Sequence, residues 1–147
     1  MGCNVSVCLR SCVALLLTVA ALQVNATTVI CEEDRSSQSA TQLVVRVPDA
    51  RYEEFVELIK SGDFSPPGRR LTYAGGADSE RSIAWVLKSA DYSVGVYADY
   101  FKQSKEFVFW VQTCNTTDTW QPYWRALTTR VRAFPEVTVD ERAYPEH

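Results

Sequence analysis

The segment "DARYEEFVELIKSG" (residues 49–62) decides much of the fold, because it carries the signals that begin, order and end an amphipathic helix. Its first residue, Asp49, is a favourable N-cap. Four apolar side chains recur at helical spacing and form one face: Tyr52, Phe55, Val56 and Ile59. Gly62 can adopt the left-handed backbone that ends many helices. We therefore predict a helix over residues 49–61 whose apolar face covers a sheet.

Strand signals lie on both sides of this helix. Before it, "QLVVRV" (42–47) is short and rich in β-branched residues, and Pro48 ends it. After it, we interpret "LTYA" (71–74) as a short strand and "GGADSE" (75–80) as a loop. Three longer β-rich runs follow, joined by short polar segments: "SIAWVLK" (82–88), "YSVGVYADYF" (92–101) and "EFVFWVQTC" (106–114). This pattern is typical of an antiparallel meander. Both faces of the last run are apolar, which indicates a central strand covered on both sides.

A second helix is predicted in "TWQPYWRALTTRVRAF" (119–134), with Thr119 as its cap and Pro122 tolerated in its first turn. Its apolar stripe consists of Tyr123, Leu127, Val131 and Phe134. The resulting order β-α-β-β-β-β-α defines an α+β fold, in which an N-terminal and a C-terminal helix cover an antiparallel meander. We assign residues 41–135 to this single domain. Residues 136–147 form a loose C-terminal tail with room for a short edge strand.

The first 26 residues have the pattern of a cleaved signal peptide. Arg10 precedes an uncharged apolar run, "VALLLTVAAL" (13–22), which is too short to span a bilayer. Small residues allow cleavage after residue 20, 21 or 26. Two alternatives stay open: an uncleaved anchor, and myristoylation of "MGCNVS" (1–6) with Cys3 as a palmitoylation site. The signal peptide predicts a secreted or extracytoplasmic protein without membrane attachment after processing, with residues 27–40 as an N-terminal arm and loop.

Removal of the signal peptide leaves two of the five cysteines, Cys31 and Cys114. An even pair in an exported chain predicts a disulfide. Closing a loop of about 80 residues would stabilise the fold by roughly 4–5 kcal/mol in the chain-entropy description. The sequon "NTT" (115–117) predicts glycosylation at Asn115. Two cysteines and the terminal His147 do not make a zinc site, so we expect neither a metal nor a cofactor.

Composition and motifs exclude several classes of activity. The formal net charge is −3, or about −4 once Arg10 leaves with the signal peptide, and no block of like charge occurs. This argues against a main role in nucleic-acid binding. Catalytic Ser-His-Asp and Cys-His arrangements lack a usable histidine. There is no P-loop and no dinucleotide-binding glycine motif. We therefore expect no catalytic residues, and an activity based on binding.

Four tryptophans and seven tyrosines are many for a domain of this size. Core and sheet packing explains most of them. The best candidate for an exposed set is "TWQPYWR" (119–125), because it combines the residue types that dominate binding hot spots. The candidate binding residues are Trp120, Tyr123, Trp124 and Arg125. The sequence thus predicts a secreted binding protein of the inhibitor, immunity or effector type, whose partner is another protein.

The strand "QLVVRV" and the helix "YEEFVELIK" (52–60) resemble the first strand and first helix of ribosome-inactivating proteins, which are rRNA N-glycosylases. That helix has the form Tyr-x-x-Phe-Ile-x-x-Leu-Arg, and its places are taken here by Tyr52, Phe55, Val56, Ile59 and Lys60. The resemblance covers residues 41–120 and implies the N-terminal half of that fold. At the active site the chain departs from the family: Phe107 replaces the stacking tyrosine, Trp110 replaces a glycine, and the Glu-Ala-x-Arg pair is missing. The alternative function is therefore a truncated toxin or defence protein of this type.

Overall fold

The computed structural model describes residues 37–114 and 119–143, which form one antiparallel sheet and two helices. The strands are β1 Ser37–Gln38, β2 Thr41–Arg46, β3 Leu71–Asp78, β4 Ser82–Ser89, β5 Val94–Phe101, β6 Glu106–Thr113 and β7 Thr138–Ala143. The helices are α1 Tyr52–Ser61 and α2 Gln121–Arg132. The predicted α+β class, with an antiparallel sheet and two helices, is confirmed.

The strand order is β3-β4-β5-β6-β2-β7, and β1 pairs with β6 beyond the end of β2. Strands β3 to β6 form the predicted meander. The N-terminal β2 then lies between β6 and the C-terminal β7, and it pairs antiparallel with both. The early and late parts of the chain therefore meet at one side of the sheet, and β6 is a central strand as predicted.

Both helices pack on the same face of the sheet and enclose the hydrophobic core. The Phe55 ring of α1 lies 4.8 Å from the Phe107 ring of β6 and 5.0 Å from the Phe134 ring that follows α2. The predicted apolar stripes are confirmed, since the following side chains are buried: Phe55, Val56, Ile59, Tyr123, Leu127, Val131 and Phe134. The aromatic contacts therefore join both helices to the centre of the sheet.

No helix covers the other face of the sheet in the described part of the chain. On this face Trp110 of β6 stacks on Tyr97 of β5, with ring centroids 5.1 Å apart and an interplanar angle of 7°. Gly95 makes room for this pair, because a Cβ atom there would lie 2.8 Å from the Tyr97 ring. The apolar residues on this second face of β6 thus pack within the sheet, as an aromatic pair. The prediction that β6 is covered on both sides is wrong for the described residues, because both helices lie on one face.

The ends of α1 agree with the prediction only at the C-terminus. Residues Asp49–Arg51 form a 3-10 turn, and α1 begins after it without a side-chain cap. The carboxylate of Asp49 accepts a hydrogen bond from Lys105 at 2.8 Å, so the prediction that Asp49 caps the helix is wrong. Gly62 has a φ of 67° and ends α1 as predicted. A Cβ atom at Gly62 would lie 2.5 Å from the carbonyl oxygen of Leu71, so this turn requires glycine for its space as well as its backbone.

Three further boundaries differ from the sequence prediction. Strand β3 continues to Asp78, so the glycine-rich stretch predicted as a loop belongs to the strand, with a register shift between Tyr73 and Gly75. Residues in the predicted tail form β7, which confirms the room left for an edge strand and corrects the description of the tail as loose. The N-cap of α2 is Trp120, not Thr119. The signal peptide, the arm as far as residue 36, Asn115 and residues 144–147 lie outside the described residues.

The packing of α1 predicts a large difference between its two faces. We expect Phe55→Ala to destabilise the protein by about 3–5 kcal/mol, because it leaves a cavity among the Phe107 and Phe134 rings. Glu53→Ala on the exposed face should change the free energy of unfolding by about 0.5 kcal/mol or less. Urea denaturation of both variants measures the difference. Equal midpoints would show that the buried face of α1 is assigned wrongly.

Candidate functional site

The four predicted binding residues lie on different sides of α2. Tyr123 is 2% exposed and belongs to the core, so its assignment to a binding surface is wrong. The cause is its position on the same helical stripe as Leu127 and Val131, both buried. Trp120 and Trp124 are half-buried and pack against the core with their rings at an edge-to-face angle. Arg125 alone is exposed.

A cleft of about 470 Å³ lies along the flank of α2 that carries Arg125. One wall is the segment 63–67, which follows α1. The other wall comes from α2 and the residue after it, with small or apolar side chains: Pro122, Ala126, Thr129 and Ala133. Neither Trp120 nor Trp124 lines the cleft. The structure thus separates the predicted arginine from the predicted tryptophans.

The first wall of the cleft is fixed by short-range chemistry. The hydroxyl of Ser65 donates to the carbonyl oxygen of Gly62 and accepts from the backbone N–H of Leu71, both at 2.8 Å. Pro66 and Pro67 then restrict the backbone of the segment. Because both ends of the segment are tied, this wall holds its shape without a ligand.

The charges at the rim of the cleft are unequal. Arg130 donates from Nε to Asp63 at 3.1 Å, which joins the two walls and neutralises both groups. Within residues 37–114 and 119–143, the guanidinium of Arg125 has neither an ion pair nor a hydrogen bond. The rim therefore carries one uncompensated positive charge beside an apolar surface.

Two carboxylates share the helix-free face of the sheet, and sequence reasoning did not single them out. Glu106 accepts hydrogen bonds from Arg46 of β2 and from Arg142 of β7. Asp99 lies opposite Val108, two residues from Glu106 in the register of β5 and β6, and burial raises the pKa of the Asp99 carboxyl. Paired carboxylates with different environments can act as acid and base. Here Glu106 is bound to arginines of two other strands, so its role is to stabilise the sheet.

The turn between β4 and β5 contains a second group that sequence reasoning missed. Asp91 accepts hydrogen bonds from the hydroxyl of Ser89 at 2.6 Å, and from the hydroxyl and backbone N–H of Ser93 at 2.8 and 3.1 Å. These bonds, of which the bond from the Ser89 hydroxyl has the largest effect, lower the pKa of Asp91 to about 2. Tyr92, between these partners, has a φ of 61°. The spacing Ser-x-Asp-x-Ser in residues 89–93 is the sequence signal that could have revealed this turn.

The residue at the place of the stacking tyrosine is inaccessible. Phe107 is 1% exposed and lies beneath α1, with its ring 4.7 Å from that of Tyr100 and 4.8 Å from that of Phe55. An aromatic ring must present a free face to stack on a base. Phe107 cannot take that role in this arrangement.

Among residues 37–114 and 119–143, no group of three or more His, Cys, Asp or Glu side chains is placed to hold a metal ion. Neither of the described helices is long and apolar enough to cross a membrane. Comparison with protein-family models, with curated proteins and with solved structures finds no match to this chain.

The turn around Asp91 gives a prediction about acid titration. We expect the Asp91 carboxyl to titrate near 2 in the folded protein, below its ordinary value of 3.8. Because folding lowers this pKa, the hydrogen bonds to the carboxylate stabilise the fold above the ordinary value, and that contribution is lost as the pH falls through about 2. A carbon-13 NMR titration measures the midpoint. Asp91→Asn is the control for assignment, and a midpoint near 3.8 in the wild type would contradict the hydrogen bonding described.

Proposed function

We propose that this chain is a secreted, disulfide-containing binding protein that captures another protein through the cleft between α2 and the segment 63–67. The observation that carries the proposal is the exposed guanidinium of Arg125 at the rim of an apolar cleft of about 470 Å³. This agrees with the inhibitor, immunity or effector type predicted from the sequence, which acts through a binding surface and not by catalysis. Secretion is supported by the pattern of the first 26 residues.

The cleft defines the chemistry of the partner. An apolar side chain that enters it contributes about 25 cal/mol for each Å² removed from water. A carboxylate next to that side chain would pair with Arg125, and arginine is among the residues enriched at binding hot spots. The walls are held by the Ser65 hydrogen bonds and the Arg130–Asp63 ion pair, so little ordering opposes binding. The partner segment is therefore an apolar anchor beside an acidic residue.

The residues that line the cleft favour binding over catalysis. They include two ionisable groups besides Arg125, and those two, Asp63 and Arg130, are bound to each other. Ser65, whose hydroxyl could in principle act as a nucleophile, donates to a backbone carbonyl. Neither a general base nor an activated nucleophile is present among these lining residues.

The alternative function is that of a truncated relative of the ribosome-inactivating proteins. It is favoured by the order of elements, since strand β2 is followed by helix α1 and then by the antiparallel strands β3 to β6. The resemblance to that family implies the same order. It is opposed by the burial of Phe107 and by the missing Glu-Ala-x-Arg sequence. A binding role fits these observations better than base removal does.

The proposed disulfide joins Cys31 to Cys114. Its support comes from the register of β1: Ser37 lies opposite Thr113, so the start of β1 is adjacent to Cys114. Six residue steps separate Cys31 from Ser37, and an extended chain of that length reaches about 20 Å. After signal removal, Cys31 is the single remaining partner in the sequence.

We expect reduction to raise the intact mass of the secreted protein by the mass of two hydrogens. Without reduction, Cys114 should react with a thiol reagent in the Cys31→Ser variant but not in the wild type. Removing the bridge should destabilise the protein by roughly 2–5 kcal/mol, because the unfolded chain gains freedom. Mass spectrometry with thiol labelling makes the measurement. Two reactive thiols in the untreated secreted protein would contradict the pairing.

We expect peptides selected from a random displayed library by the purified mature protein to contain an acidic residue next to a large apolar one. Arg125→Ala should weaken a selected peptide at least about tenfold, since it removes the charge partner. Thr129→Trp should abolish binding by filling the cleft. Calorimetric titration of each variant gives the dissociation constants.

Arg81→Ala, at another exposed arginine on the β3–β4 turn, is the matched control and should bind as the wild type does. Equal affinity of the wild type and both cleft variants would refute the cleft as the binding site. The wild-type protein should also release no adenine from ribosomes above a buffer control. Release by the pure protein would favour the alternative function instead.

A further inference from the structure

The helix-free face of the sheet differs in exposure between its two ends. Phe101, at one end of β5, is 42% exposed, whereas Tyr97, four residues earlier on the same face, is 7% exposed. Val86 of β4 lies opposite Tyr97 and is 5% exposed, and Trp110 of β6 lies opposite Tyr97 on its other side. We call Val86, Tyr97 and Trp110 the Tyr97 row. Apolar side chains on an uncovered sheet face stay in contact with water, as Phe101 does.

The described residues account for only part of the burial of the Tyr97 row. The stacking of Tyr97 on Trp110 is a contact between neighbours within the sheet. Further along this face Val44 is 4% exposed, because the Arg142 side chain reaches from β7 over β2 to Glu106 of β6. No helix or strand of residues 37–114 and 119–143 lies over the Tyr97 row, since the strands form one sheet and both helices pack on its other face.

Cys114 lies at the shielded end of the same face. It follows Trp110 by four residues, and its N–H donates to the carbonyl oxygen of Ser93 at 2.7 Å, which continues the pairing of β6 with the chain before β5. Its side chain packs against the cluster formed by Val86 and Tyr97. The two Cα atoms of a disulfide usually lie about 4.4–6.8 Å apart. A disulfide at Cys114 therefore places its partner residue next to the Tyr97 row.

The N-terminal arm joins the sheet at this end. Ser37, the first residue of β1, lies opposite Thr113, which directly precedes Cys114. The arm contains "TTVIC" (27–31), in which Val29 and Ile30 come directly before Cys31. These residues remain in the chain with each of the predicted cleavage sites. Two adjacent apolar side chains beside a disulfide are suited to cover an aromatic surface, because both surfaces then leave water.

We propose that residues 27–31 of the arm cover the Tyr97 row on the helix-free face, with the disulfide from Cys31 to Cys114 as their anchor. Val29 and Ile30 supply the apolar contact with the rings of Tyr97 and Trp110. The arm thereby forms a third layer over one end of the sheet, and the end at Phe101 stays open. This proposal rests on the disulfide pairing proposed above and does not depend on the cleft beside α2.

The first test measures the exposure of the rings by hydroxyl-radical footprinting of the mature protein, with mass spectrometry of its peptides. In a variant with both Val29→Asp and Ile30→Asp, we expect oxidation of Tyr97 and Trp110 to become at least about threefold faster, because both rings then meet solvent. Oxidation of Phe101 should not change. The matched control combines Gln103→Asp with Ser104→Asp, which adds the same charge at the exposed β5–β6 turn, and it should leave all three rates unchanged.

The second test detects the contact in the wild-type protein by methyl NMR. The chain has three isoleucines, and two of them, Ile59 and Ile83, pack in the core on the other face of the sheet. With labelled isoleucine methyl groups, we expect nuclear Overhauser cross-peaks from Ile30 to the rings of Tyr97 or Trp110. This measurement decides the question if the doubly substituted variant does not fold.

Equal oxidation rates of Tyr97 and Trp110 in the wild type and the doubly substituted variant would overturn the proposal. An equal gain at Phe101 would overturn it too, since the loss of protection would then be general. So would the absence of cross-peaks between Ile30 and both rings. A bridged protein without these contacts would overturn this proposal alone. Free thiols at Cys31 and Cys114 together with the contacts would support the cover and overturn only the pairing.

Discussion

The pairing of β2 with β6 is the contact on which the other parts of the structure depend. Val45 lies opposite Phe107 and Arg46 opposite Glu106, so about 60 residues of chain separate the partners. This pairing sets β2 beside the meander and delivers α1 directly above the aromatic residues of β6. It also leaves the outer edge of β2 free for β7. Without it, the meander would lack its first helix and its last strand.

Polar contacts also stabilise the pairing of β2 with β6. Glu106 receives hydrogen bonds from Arg46 and Arg142, and thereby links three adjacent strands that are far apart in the sequence. Its carboxylate is mostly buried, with 12% of the side chain exposed, so removal of one arginine would leave a shielded charge with fewer partners. The network thus helps to specify which strands are neighbours.

Local sequence patterns account for the elements that local interactions determine. The apolar face of α1, its end at Gly62 and the meander could all be predicted, because helical spacing, glycine chemistry and short polar joints act over a few residues. Helical spacing also placed Tyr123 on the buried stripe with Leu127 and Val131, so its assignment to a binding surface followed its residue type against this pattern. The half-burial of Trp120 and Trp124 could not be predicted in the same way, because it depends on how α2 docks on the sheet.

The same reasoning explains why the cleft beside α2 could be predicted only in part. Arg125 was singled out by its residue type, but the wall at residues 63–67 comes from a distant part of the chain. A site of this kind becomes visible only when the packing of α2 beside the segment after α1 is known.

The irregular pairing of β3 also has a consequence for the free edges of the sheet. An exposed edge strand offers unpaired backbone groups to any other extended chain, which favours aggregation. Strand β7 opposes this with the charged side chains of Asp140, Glu141 and Arg142. Strand β3 has a single charged residue, Asp78, and it is the bulge after Tyr73 that breaks its straight edge. Charge at one margin and backbone irregularity at the other thus oppose the addition of further strands to the sheet formed by residues 37–114 and 119–143.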